Sequence, residues 1–348
     1  MATKSKAEYT CAECGWSSPK WVGQCGECQA WNSLVEGTTS GRGLGVAKSV
    51  KAADIVGSSA AKPITEISTE SVTAWSTGVG EFDRVLGGGL VPGAVVLLSG
   101  EPGVGKSTLL LEVASNAAAK GLKVLYVSGE ESVGQIRLRA ERTGALNPNL
   151  YLASETDLAS VLGQVAQVAP QLLIVDSVQT IAHAELDGAA GMPSQIREVA
   201  SNLIRVAKEN NLPIILVGHV TKDGNIAGPR ALEHLVDVVC HFEGDRQTSL
   251  RFVRSMKNRF GPTDEVGCFE MTGEGISQVS DPSGMFLSRG DAPVSGTCVT
   301  VTVEGKRPLI AEVQALVVKS STPQPRRVTN GVDSSRVAML LAVLERRA

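Results

Sequence analysis

The densest set of chemically useful residues runs from Ala94 to Thr108, AVVLLSGEPGVGKST. An apolar, β-branched run from Ala94 to Leu98 leads into Gly100, Glu101, Pro102, Gly103, Val104, Gly105, Lys106 and Ser107, and Thr108 with the leucines after it reads as the first turn of a helix. Glycines at fixed spacing before a lysine and a hydroxyl residue, set between strand and helix, form a phosphate-cradling loop. Glycines at 100, 103 and 105 admit positive φ and remove side chains, so successive backbone N–H groups converge on phosphate oxygens at the positive end of a helix. Lys106 supplies a mobile cation for the β and γ phosphates of ATP, and the Ser107 hydroxyl is placed to ligate Mg²⁺.

Hydrolysis at such a loop needs a second magnesium ligand and a group that orients water. Leu172 to Asp176 is four apolar residues ending in a carboxylate, the Walker B pattern, which places Asp176 on the Mg²⁺ shell. Lys123 to Val127 reads as a second buried strand, and it opens into Ser128-Gly129-Glu130-Glu131. A carboxylate at a strand's carboxyl end beside the phosphate loop is where water is oriented, so Glu130 is the candidate base. Glu131 is the alternative, and one of the two serves as the acidic opening of the next helix. Pro213 to Gly218 forms another strand ending at His219; there His219 or Thr221 is placed to sense the γ-phosphate. The glycine-rich stretches His183 to Pro193 and Lys222 to Arg230 read as loops that ATP would order.

Cys11, Cys14, Cys25 and Cys28 give C-x₂-C-x₁₀-C-x₂-C, the paired spacing of a tetrahedral Zn²⁺ site. A unit of about thirty residues cannot bury a sufficient core, so metal binding substitutes for it. Trp16, Trp21 and Trp31 lie in or beside this finger, either to stack on nucleobases or to form its own small core and docking face. Three basic and four acidic residues through Glu36 leave no cationic excess, which favours protein contact over phosphate clamping.

These sites need more than one folding unit to hold them, and 348 residues supply two or three. The finger takes residues 1–36. Residues 37–72, rich in Gly, Ser, Ala and Thr, form a tether, and residues 73–266 form the ATPase core. In that core a short helix from Glu81 to Leu86 stops at three glycines, the helix from Ser107 ends at Gly121, and Ile196 to Asn210 carries a helical apolar face. Strands alternating with helices predict an α/β fold with a mostly parallel sheet and its ligands at the carboxyl edge. Val236 to Phe242 and Thr248 to Met256 read as a hairpin. Five basic residues from Arg246 to Arg259 end in Lys257-Asn258-Arg259-Phe260-Gly261, read as a turn that presents a cation to a neighbouring subunit. In residues 267–348 the pattern changes to strands, Thr297 to Val303 and Leu309 to Val318, then a helix capped at Asp333.

A net charge of −3 gives no global attraction to nucleic acid, so such binding must be local. No run approaches the ~20 apolar residues of a membrane span. The N-terminus lacks an apolar signal region, and a cytoplasmic, thiol-reducing setting is the default.

Together the four-cysteine finger, the approach Ser76 to Gly89, the phosphate loop, Asp176, the His219 to Arg230 loop and Lys257 to Gly261 resemble the RadA/Sms family of bacterial recombination and repair ATPases. The resemblance implies a RecA-like core, homo-hexameric rings around single-stranded and branched DNA, a RecA-type recombinase as partner, and ATP-driven branch migration. It implies that Lys257 and Arg259 act in trans on the adjacent subunit's ATP, and that the loops around 183–193 and 220–230 face DNA. It also implies that residues 267–348 open a Lon-protease-like α+β domain, non-proteolytic, that continues further in the family. A Lon-type protease and an ATP-switched scaffold without motor activity are the competing readings; no nucleophile for the first is present, and the finger and the basic run weigh against the second.

Overall fold

The computed structural model describes residues 8–11, 16–18, 20–31, 33–37, 63–66, 73–219, 232–244, 249–282, 294–320 and 326–347. The chain divides into two compact units, residues 1–67 and 68–348.

In the first unit β1 (Glu8–Cys11) pairs antiparallel with both β2 (Ser17–Ser18) and β3 (Leu34–Gly37). Its core is Cys11, Cys25 and Leu34, with Tyr9 and Trp16 packed against them. Of the three finger tryptophans only Trp16 takes part in this core; Trp21 and Trp31 are 55% and 73% exposed. Among the described residues this small core takes in one indole, so the miniature-core reading holds for Trp16, and Trp21 and Trp31 are left for a docking face or for stacking on bases.

The second unit opens with α1 (Gly80–Leu86), which ends as expected at the glycine run: Gly87 takes φ 83°, a left-handed cap. Then come β4 (Val95–Gly100), α2 (Lys106–Ala119), β5 (Val124–Ser128), α3 (Val133–Arg142), β6 (Leu150–Ser154), α4 (Leu158–Val168), β7 (Leu172–Asp176), α5 (Pro193–Asn210) and β8 (Ile214–His219). The sheet continues through β9 (Val238–Glu243), β10 (Leu250–Asn258), β11 (Val266–Thr272) and β12 (Gly275–Gln278). The nine strands stand in the order β12-β11-β10-β9-β4-β8-β7-β5-β6. From β9 to β6 all pairings are parallel, and β10, β11 and β12 extend the sheet antiparallel.

Period-two alternation in the buried strands sorts side chains onto two faces. Val96, Leu98, Tyr126 and Ile174 point to a core built with α1, α2 and α3, while Val95, Leu97, Leu125 and Val175 point to one built with α4 and α5. Helices on both faces force the strand ends, and hence the loops, to the sheet's two edges.

Strands β11 and β12 carry this sheet past residue 266, where the sequence pattern alone ends the ATPase core. After them a hairpin of β13 (Thr297–Glu304) and β14 (Arg307–Gln314) turns at Gly305. Buried Arg307 anchors it: its guanidinium pairs with Glu81 of α1 and donates to the carbonyls of Val266 and Val279 at 3.2 and 3.0 Å. The terminal helix α6 (Ser334–Arg347) begins under Asp333, whose carboxylate accepts from the Arg336 N–H at 2.6 Å.

Candidate nucleotide site

The carboxyl ends of β4, β5, β7 and β8 bring Gly100, Ser128, Asp176 and His219 to one edge, with Gly100 opposite His219 and Ser128 opposite Asp176 in the register. Gly100 must lack a side chain because a Cβ there would stand 2.3 Å from the Phe242 carbonyl oxygen. Gly105 enters α2 at φ 114°, and a Cβ at Gly103 would meet open space, so the loop presents bare backbone outward. Residues 101–103 are exposed, Val104 and Lys106 are buried, and Ser107 and Thr108 are partly open at the head of the helix.

The Lys106 ammonium donates to the carbonyls of Gly100 and Glu101, both at 2.8 Å. Burial lowers its pKa to about 8, against the opposing pull of the Asp176, Glu130 and Glu101 carboxylates. Those carboxylates thus lie within electrostatic reach of the cation. Asp176 is itself buried, and its Oδ2 accepts from the Tyr126 hydroxyl at 2.6 Å.

Glu130 and Glu131 part company. Glu131 is engaged by Arg139 of α3, whereas Glu130 Oε1 accepts from the Ser177 hydroxyl at 2.7 Å and lies 3.0 Å from His219 Nε2. Both glutamate N–H groups approach the Ser128 hydroxyl, Glu130 at 3.3 Å and Glu131 at 3.0 Å, so the strand end fixes this turn. Glu130 therefore faces the phosphate loop's neighbours on β7 and β8. Gln179 holds the His219 backbone with a paired amide contact, donating to its carbonyl at 3.0 Å and accepting from its N–H at 3.2 Å. Thr221 and the segment 222–230 lie outside the described residues. Tyr126, Ser177 and Gln179 escape a reading of the sequence; a hydroxyl one residue and an amide three residues after the Walker B aspartate are the available signal for the last two.

The chain from Asp176 runs through Gln179 into the loop 183–193. Gln195, buried at the start of α5, accepts from the His183 N–H at 2.8 Å and donates to the carbonyls of Leu186 and Gly188 at 2.7 and 3.1 Å. One amide thereby pins an otherwise exposed loop whose base lies just beyond Gln179.

Lys257 and Arg259 are not brought to this edge. Lys257 lies inside β10 rather than in a turn, opposite Val239, whereas Gly100 stands opposite Phe242. That offset of three strand residues is ~10 Å before the phosphate loop begins. The Lys257 ammonium donates to the carbonyls of Glu233 and Val236, both at 2.8 Å, and burial, then the neighbouring Arg259, lower its pKa. Arg259 pairs with Asp237 at 3.1 Å, and Asn258 donates to the Leu86 carbonyl at 3.0 Å, closing the end of α1. Within the basic run Arg254 pairs with Glu243 of β9 and Arg259 with Asp237 just before it, while Arg251 donates to the Val104 carbonyl of the phosphate loop at 3.2 Å; Arg246 lies outside the described residues. These are ties within the chain, and Lys257 and Arg259 among them are the cations that the sequence reading assigns to a neighbouring subunit.

In the first unit the sulfurs of Cys11, Cys25 and Cys28 lie within 4.8 Å of one another, with Cys11 and Cys28 3.7 Å apart. Thiolates bonded tetrahedrally at ~2.3 Å sit ~3.8 Å apart, so the three sulfurs fit Zn²⁺. Cys14 lies outside the described residues. Chelating the metal is expected to release one equivalent of zinc and to expose Trp16, seen as a red shift of tryptophan emission; a finger whose emission survives zinc removal contradicts the metal-for-core argument.

The phosphate-site residues fit ATP with Mg²⁺: an open backbone cradle at a helix N-terminus, an ammonium within it, and a hydroxyl and a buried carboxylate, Ser107 and Asp176, to hold the metal. Bound there, Mg²⁺ would supply charge neutralisation of the β and γ phosphates.

Comparison with known proteins agrees with this geometry. An AAA-domain family model matches residues 66–225 and a rubredoxin metal-binding-domain model matches residues 9–36. The chain is 53% identical to the DNA repair protein RadA of Mycolicibacterium smegmatis over 99% of its own length and 74% of that protein. It is 45% identical to the DNA repair protein RadA of Bacillus subtilis over 99% of this chain and 75% of that one. In fold it is similar to an ATPase domain of known structure (TM-score 0.53, 15% identity, 60% of this chain and 93% of that one). It is also similar to a KaiC-like protein of Pyrococcus horikoshii (TM-score 0.50, 22% identity, 60% and 99%). The core is a RecA-like ATPase fold behind a zinc ribbon, and no helix among the described residues is long and apolar enough to cross a membrane.

Proposed function

Since this chain belongs to the RadA family of DNA repair proteins, we propose that its ATPase is a DNA motor whose hydrolysis is completed between subunits of a homo-hexameric ring. Lys106 neutralises the γ-phosphate, Ser107 and Asp176 hold Mg²⁺, Glu130 orients water under the control of His219, and Lys257 and Arg259 of one subunit reach the ATP of the next. The observation that carries this reading is the separation of Lys257 and Arg259 from their own chain's phosphate loop across the depth of the sheet. A heterologous interface closing into a ring juxtaposes opposite edges of neighbouring copies. Gln179 and Gln195 link the nucleotide edge to the loop 183–193, which contacts single-stranded or branched DNA handed on by a RecA-type recombinase.

The experiment is ATP turnover with and without single-stranded DNA, across a salt series. Stimulation that falls steeply with salt is expected, because phosphate contacts release counterions. The internal ties of Lys257 and Arg259 to Glu233, Val236 and Asp237 favour a second reading, an ATP-switched scaffold. Turnover indifferent to DNA would select that second reading.

A further inference from the structure

We infer that Tyr126 is a positioning residue that aims Asp176 at the metal of the nucleotide site, an assignment that rests on the reading of Asp176 as a magnesium ligand. Tyr126 lies on β5 opposite Ile174 of β7. Strand periodicity puts Asp176, two residues beyond Ile174, on the same face as the tyrosine ring. The ring lies in an apolar cluster: Tyr126 is 1% exposed, packed with Val124, Ile136, Ile174 and Ile215.

A phenol in such a cluster is costly unless its hydroxyl finds a partner, and phenylalanine would fill the same space without that cost. The hydroxyl here donates to Asp176 Oδ2 at 2.6 Å, and Asp176 is itself 5% exposed. For a carboxylate buried this deeply, a hydrogen bond from the tyrosine hydroxyl to one oxygen restrains where the second oxygen can point. Groups that orient a ligating carboxylate in this way raise metal affinity, and losing one costs about 10- to 100-fold. The tether is supplied by the adjacent strand β5.

The test compares wild type, Tyr126→Phe and Asp176→Asn by calorimetric titration of ATP, at a series of Mg²⁺ concentrations and in EDTA. For Tyr126→Phe the Mg²⁺ concentration giving half of the metal-dependent gain in ATP affinity is expected to rise about tenfold. ATP affinity in EDTA stays at the wild-type value. Asp176→Asn is expected to abolish the metal-dependent gain. A Tyr126→Phe protein with wild-type Mg²⁺ dependence, alongside a defective Asp176→Asn, overturns the assignment of Tyr126. So does a Tyr126→Phe protein that loses ATP affinity equally in EDTA, which marks a packing defect. An Asp176→Asn protein with normal Mg²⁺ dependence overturns the ligand reading of Asp176 and the inference with it.

Discussion

Lys106→Ala is expected to reduce ATP hydrolysis on the order of a thousandfold, the scale on which one preorganised charge at a reacting centre acts. In the nucleotide-free protein Lys106 is buried and its pKa is lowered to about 8, so the group is half neutral near that pH. The phosphates of ATP stabilise the ammonium and raise its pKa again, so binding above about pH 8 takes up a proton. ATP affinity therefore falls as pH rises past about 8, by up to tenfold per unit, until the pKa of the complex is reached.

The same shift acts on folding. Between about 8 and the ordinary lysine value of 10.5 the unfolded chain binds more protons at Lys106 than the folded one, so nucleotide-free stability gains from this residue as pH rises through that window. Lys106→Arg keeps its charge throughout and should show ATP binding without the fall above about pH 8. The measurement is ATP affinity against pH for both proteins; parallel declines would show that the loss has another origin.

The phosphate site was legible because local sequence builds it. A β-branched run, glycines at fixed spacing and a helix start determine residues 94–119 without help from distant parts of the chain, and the same holds for β7 ending at Asp176 and for the cysteine knuckles. What sequence left open is what the topology assembles. Glu130 is distinguished from Glu131 by Ser177 and His219, which arrive just after β7 and at the end of β8, and by Arg139, which takes Glu131 away. Tyr126 meets Asp176 only because β5 pairs with β7.

One further contact spans most of the chain: Arg307 closes on Glu81 across 226 residues. Strands β11 and β12 instead join by local antiparallel pairing, β11 with β10 and β12 with β11, extending a sheet whose parallel half ended at β9. The first four residues of β11, Val266 to Phe269, are all buried, and composition alone groups these strands with the C-terminal hairpin and helix. The partners of the basic run were equally hidden: the countercharges Glu243 and Asp237 lie outside the window that contains it.

The second large effect concerns Lys257 and Arg259. Lys257→Ala or Arg259→Ala is expected to cut turnover on the order of a thousandfold while ATP binding persists, as when a trans-acting cation is withdrawn from phosphoryl transfer. Loss of fold is not the expected cause. Asp237 keeps the Lys208 ammonium at 2.7 Å and the Val95 N–H at 3.0 Å when Arg259 is removed, and the α1 cap from Asn258 is untouched. A cation that served only its own chain would give a defect no other subunit can repair.

Mixing two inactive proteins separates these possibilities. Lys106→Ala lacks a working phosphate loop but retains its Lys257 and Arg259, whereas the double variant Lys257→Ala/Arg259→Ala has an intact loop and lacks those cations. In a ring assembled at random from equal amounts, about a quarter of the interfaces pair an intact loop with intact cations. Recovery of turnover toward a quarter of the wild-type rate is the predicted result. A mixture as inactive as its two components, with mixed assembly verified by mass, would contradict catalysis shared between neighbours.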